Sequence, residues 1–159
     1  MNAPAPTERV TLREVTGATV RAVCALEVAP DQRGLVAPNA FSIAQAYFEA
    51  AAWFRAIHAG DTPVGFVMLH DPTRTPAPED PATCLLWRFM IDARHQRRGY
   101  GAAAIAQLID HARTLQGVTA FGLSFVPAAN SARDFYARFG FRETGAIDDG
   151  EVVMKLALA

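Results

Sequence analysis

The chain has 159 residues, 51% of them hydrophobic, with a formal net charge of -1. That is enough for one domain with a real core and too short for two comfortable ones. The near-zero charge excludes the basic footprint of a nucleic-acid binder or of a protein held on an anionic membrane. No apolar run reaches the length of a membrane span. Residues 1–8 contain no apolar signal core and read as a flexible lead-in, leaving 9–159 as the domain. Cys24 and Cys84 lie in apolar surroundings and read as reduced thiols of a cytoplasmic protein. His58, His70, His95 and His111 show no metal-ligand spacing, so no metal is expected.

In chain order, the alternation from Arg9 to Val15 predicts a first strand. Thr16 is the expected N-cap of a helix reaching about Ala29, where Pro30 ends it. A loop with apolar residues, Asp31 to Phe41, leads to Ser42, the expected cap of a second helix to about Ala51. Trp53–Ala59 and Pro63–His70 form a hairpin across Gly60-Asp61, and Gly65 marks a close backbone approach or a bulge. A proline-rich surface loop follows. The apolar run Cys84–Ile91 is the central strand. Ile105, Leu108, Ile109, Ala112 and Leu115 then repeat at helical spacing over Ala102–Gln116. Thr119–Val126 is a strand that Pro127 ends, so its neighbour should splay away there. A short helix, Ala132–Phe139, and a hairpin of Phe141–Gly145 with Val152–Leu158 across Asp148-Asp149-Gly150 complete a single mixed α/β sheet.

Between the central strand and its helix lies Gln96-Arg97-Arg98-Gly99-Tyr100-Gly101. A strand, a glycine turn and a helix start with no spare residues aim backbone N–H groups outward at the positive end of a helix, which suits a phosphate. The alternative reading is a βα turn that happens to contain glycine.

With the surrounding pattern, Gln96-x-x-Gly99-x-Gly101 resembles the pyrophosphate loop of GCN5-related N-acetyltransferases. The stretch from Asn130 through Ala132-Arg133-Asp134-Phe135-Tyr136 to Phe141 resembles that family's second signature. The resemblance extends over nearly the whole chain. Gly34–Asn39, Trp87–Asp92 and Asp148–Met154 are further similar to bacterial diamine or spermine/spermidine acetyltransferases. It implies a mixed antiparallel and parallel sheet, splayed near Pro127, with helices on both faces. It also implies acetyl-CoA as co-substrate and direct transfer to a primary amine in a ternary complex, with a small cationic di- or polyamine as acceptor. Peptide N-terminal and aminoglycoside acetylation are the alternatives within enzymes, and an acyl-CoA-binding module without turnover is the alternative outside them.

Residue by residue, the resemblance implies that the amides of Arg97, Arg98, Gly99, Tyr100, Gly101 and Ala102 hold the pyrophosphate, with Gln96 starting the loop. Phe89, Met90 and Ile91 sit where the family's central strand meets pantetheine and the thioester. Asn130 fits a contact to the CoA arm or a plain helix N-cap. Tyr136 fits the acid that protonates the departing thiolate, or a core tyrosine. Some members carry a strand glutamate as base; here Trp87-Arg88 occupies that stretch. Glu27, Asp31, Asp92 and Glu151 are the candidate bases, beside ordered water. Glu27, Asp31 and Glu151 are also the candidate amine contacts. A homodimer through the final hairpin is a further implication.

Overall fold

Strand-forming alternation around tight turns builds most of the sheet. The computed structural model describes residues 5–128 and 132–159. The element order is β1 (Val10–Arg13), α1 (Val20–Ala25), α2 (Asn39–Tyr47), β2 (Ala52–Ala59), β3 (Thr62–His70), β4 (Thr83–Ile91), α3 (Tyr100–Thr114), β5 (Ala120–Phe125), α4 (Arg133–Ala137), β6 (Arg142–Asp148) and β7 (Glu151–Ala157). One seven-stranded sheet runs β1-β2-β3-β4-β5-β7-β6. Only the β4–β5 pair is parallel among the described strands.

Each face of the sheet buries its own core. On one side α3 packs Ala104, Ile105, Leu108 and Ala112 against Leu69, Cys84 and Phe121. On the other, Val23 and Leu26 pack against Ala56, Phe66, Met68 and Met90. Gly65 lies in β3 opposite Ile91, and an added Cβ there would collide with the Met90 carbonyl oxygen and the Ile91 side chain. The close approach expected at Gly65 is therefore real. The final hairpin turns through Asp149 and Gly150, at φ 48 and 78, the left-handed pair that a two-residue turn requires.

Both early helix boundaries differ from the pattern. The Thr16 carbonyl closes a turn onto the N–H groups of Thr19 and Val20, so α1 is capped by Thr19 and starts later. It ends at Ala25 rather than about Ala29, because Glu27 leaves the helix to pair with the segment after β4. The Glu27 N–H donates to Asp92 Oδ2 at 2.9 Å, and its carbonyl accepts from the Ala93 N–H at 2.8 Å. Pro30 begins a 3-10 turn, Pro30–Gln32. Helix α2 begins three residues before its expected cap. Ser42 is buried inside it, with its N–H on the Pro38 carbonyl, and Asn39 donates to the Val23 carbonyl at 2.9 Å. Tertiary partners outweigh the local cap preference at both sites.

Candidate active site

The sheet opens at its centre. β4 and β5 pair from Thr83–Ala120 to Leu86–Leu123 and then part, while β5 stays on β7 through Phe125. The parting therefore begins upstream of Pro127. A bulge in β4 lies at that point. Leu86 faces Leu69 and Arg88 faces Met68, which leaves Trp87 as the extra residue. The bulge also reverses the side-chain alternation. Cys84 and Leu86 face α3 before it, and Phe89 and Ile91 do so after it.

Beyond the bulge the exposed edge can be assigned group by group. The Asp92 N–H donates to the Val64 carbonyl at 2.8 Å. Alternation in an antiparallel pair then turns the main chain of Arg88 and Met90 toward β3, and that of Phe89 and Ile91 toward the opening. The Ile91 carbonyl is taken by Gln96 Nε2 at 2.9 Å. The N–H groups of Phe89 and Ile91 face the opening without a strand partner among the described residues.

A cleft of about 1390 Å³ occupies this opening. At one end stands the start of α3. Gly99, its N-cap, has φ 82, and Arg97 is also left-handed at φ 64. The first intrahelical bond runs from the Ala103 N–H to the Gly99 carbonyl. The N–H groups of Tyr100, Gly101 and Ala102 therefore have no acceptor within the helix, and no side chain caps them. Such orphan donors at the positive end of a 15-residue helix fit a pyrophosphate. The Gln96 side chain turns inward, donating to Ile91 and to Gln32 Oε1 at 2.9 Å each, and so ties the loop before α2 to the glycine turn.

Tyr136 reaches the same cleft from α4. Its ring packs at 5.1 Å from Phe135 and 5.8 Å from Phe141, so it is both a core residue and a cleft residue. Burial pushes its phenol well above the ordinary tyrosine range.

The expected site residues divide as follows. Phe89, Met90, Ile91, Gln96, Arg97, Gly99, Tyr100, Gly101, Ala102, Tyr136 and Glu151 all line the cleft. Arg98 is exposed and does not. The main chain of Met90 is directed at β3, and its side chain joins the core with Val23 and Phe66. Asn130 lies outside the described residues. Glu27 and Asp31 are exposed and off the cleft, and Glu27 lies 3.9 Å from Arg33.

Asp92 is committed elsewhere. Burial alone would raise its pKa, but hydrogen bonds from the Arg94 guanidinium and from the N–H groups of Glu27 and Arg94 outweigh it and hold the carboxyl below its ordinary value. Trp53 stacks on His111 at 4.4 Å, away from the cleft, whereas Trp87 lines it.

Further residues outside the named candidates line the cleft. Asp148 and Asp149 of the final hairpin line it beside Glu151, whose Oε2 accepts from Ser124 Oγ at 2.8 Å. Leu35 and Val36 line it from the loop before α2. Their sequence signals were the apolar character of that loop and the Gly34–Asn39 resemblance. Cys84 is buried, and desolvation raises its thiol to about 12, so it is no nucleophile. Among the described residues no group of three or more His, Cys, Asp or Glu side chains could hold a metal, and no helix is long and apolar enough to cross a membrane.

Comparison with known proteins agrees with this geometry. No curated protein sequence matches the chain. Its fold is shared with a crystal structure of a putative GNAT-family acetyltransferase from Desulfovibrio desulfuricans, at TM-score 0.69 and 18% identity over 95% of this chain and 100% of that one. It is also shared with the ribosomal-protein-S18-alanine N-acetyltransferase of Escherichia coli, at TM-score 0.68 and 17% identity over 95% of each. A GNAT-family acetyltransferase from Elizabethkingia anophelis with acetyl-CoA bound aligns at TM-score 0.65 and 14% identity, over 94% of this chain and 98% of that one. The model of the acetyltransferase (GNAT) family matches residues 37–141, a span that holds the bulged strand, the glycine turn and Tyr136, and the chain belongs to that family.

Proposed function

We propose that the protein transfers an acetyl group from acetyl-CoA to a primary amine by direct attack in a ternary complex, within one transferase domain spanning residues 9–159. The observation that carries this reading is the unpaired edge at Phe89 and Ile91, with the orphan N–H groups of α3 at one end and Tyr136 on the same cleft.

Acetyl-CoA supplies the acetyl group as a thioester. The backbone N–H groups of Tyr100, Gly101 and Ala102 receive the pyrophosphate, and Arg97 adds charge there. The Phe89 or Ile91 N–H faces the position where charge develops on the carbonyl oxygen. Tyr136 holds a proton for the departing sulfur. The amine must lose a proton before attack, since an alkylammonium has a pKa of about 10.4. With Asp92 committed and Glu27 and Asp31 off the cleft, Glu151 or an ordered water takes that role. Asp148, Asp149 and Glu151 give the rim a negative charge that favours a cationic amine, the basis for a di- or polyamine acceptor. The buried Cys84 thiol supports a reduced, cytoplasmic setting, and the exposed edge strand β6 supports a homodimer through the final hairpin.

Thiol release from acetyl-CoA across putrescine, spermidine and an N-terminal alanine peptide tests the assignment. Release with a small amine is the expected outcome. Release with the peptide alone would remove the small-amine reading, and acetyl-CoA binding without release from any amine would leave a binding module.

A further inference from the structure

We propose that the acceptor is an amine that also carries a carboxylate, and that Arg88 holds that carboxylate. The inference rests on the transferase reading and narrows its acceptor away from simple polyamines.

Arg88 follows the bulge in β4, lines the cleft, and extends toward α2. Its guanidinium donates to two neutral acceptors, the Trp87 carbonyl and Gln45 Oε1, at 3.2 Å each. Its Nε is buried with no partner. Among the described residues no carboxylate lies within ion-pair distance of it, although Arg13, Arg55, Arg94, Arg113 and Arg133 each have one. A half-buried cation with only neutral partners is a costly arrangement that a ligand anion relieves. The fork is also held in place, stacked 5.1 Å from the Trp87 ring, so little side-chain freedom is lost on binding.

The charge opposite selects the kind of anion. Glu151 attracts Arg88 without pairing with it, and Ser124 holds its carboxylate in the same cleft. A positive and a negative group facing one cleft match a zwitterion in reverse order, carboxylate on Arg88 and ammonium toward Glu151. A phosphate would meet repulsion from Glu151, Asp148 and Asp149. A polyamine has nothing to offer Arg88 and is repelled by it.

Two substrate pairs that differ by a single carboxylate test this, ornithine against putrescine and lysine against cadaverine. In thiol-release assays the amino acid of each pair is expected to have kcat/KM about tenfold or more above its diamine, the scale of a charge-assisted hydrogen bond. R88Q is expected to bring that ratio to near unity, and R88K, which keeps charge without the fork, to an intermediate value. Parity or diamine preference in the unmodified protein would overturn the proposal, as would R88Q lowering both members of a pair equally. A thermal melt checks that R88Q is folded, and R88K carries the comparison if it is not. If none of the four amines is acetylated, the transferase reading is judged separately on the wider amine panel, and calorimetry on the CoA-loaded protein decides the site. Ornithine binding that R88Q weakens supports it; equal or absent binding of ornithine and putrescine overturns it.

Discussion

Tyr136 shows how one side chain serves two environments. Its ring completes the aromatic cluster with Phe135 and Phe141, while the residue also lines the cleft, where we propose that its phenol supplies a proton. A phenol is in its donor form across the neutral range at its ordinary pKa of about 10, and burial shifts it further in the same direction. Y136F keeps the ring packing and removes the proton, so thiol release should fall about 100-fold or more, with KM for acetyl-CoA changed less than about twofold. Steady-state kinetics check this, and full turnover by Y136F would remove the assignment. Tyr136 was legible because it lies in a signature on a short helix. The fate of the acidic residues was not. Asp92 and Glu151 look alike in the sequence, yet one is wrapped by Arg94 and two backbone N–H groups and the other is held toward the cleft by Ser124. The Glu27 N–H on Asp92 and the Ser124 hydroxyl on Glu151 come from segments distant in sequence, which a local pattern does not contain.

Among the elements, the strand, turn and helix formed by β4 and α3 carry the site. Gly99 has to adopt φ 82 to start α3 immediately after the loop, and a Cβ in that region costs about 1–2 kcal/mol. G99A should lower stability by about that amount and weaken CoA binding by about tenfold, because the donors of the first turn tilt from their common target. Calorimetry with CoA and a denaturant melt measure the two effects; unchanged CoA affinity would mean that the turn is only structural. The glycine spacing, the apolar strand and the helical stripe made this unit readable in advance. The boundaries of α1 and α2 were misread because Thr16 and Ser42 are good local caps. Glu27 instead pairs with the Asp92–Ala93 segment, and Asn39 reaches the Val23 carbonyl, neither of which a local pattern contains.

Across the whole molecule, two imidazoles couple stability to pH. His58 is buried, and desolvation, then the Arg13 charge, lower its pKa, with a backbone hydrogen bond and attraction from Asp61 opposing. His111, stacked on Trp53, is lowered by desolvation, with attraction from Asp71 opposing and repulsion from Arg55 adding. A folded pKa below the unfolded value of about 6.5 means that the unfolded chain binds more protons as pH falls. Their contribution is thus complete above that value and lost below it. Tm should fall between about pH 7 and pH 5, and H111F, which preserves the stack, should flatten part of that slope. A Tm independent of pH over that interval in both proteins would show that protonation of these imidazoles carries no folding cost. By itself the sequence determined the element order, the mixed sheet, the glycine turn and the Tyr136 signature, because periodicity, turn chemistry and motif spacing are local properties. Only the tertiary structure decided where the sheet opens, which carboxylates face the cleft, and that Arg88 stands there without an ionic partner among the described residues. Those outcomes involve a one-residue bulge and contacts between segments far apart in the chain, where burial and pairing, not spacing, set the energy.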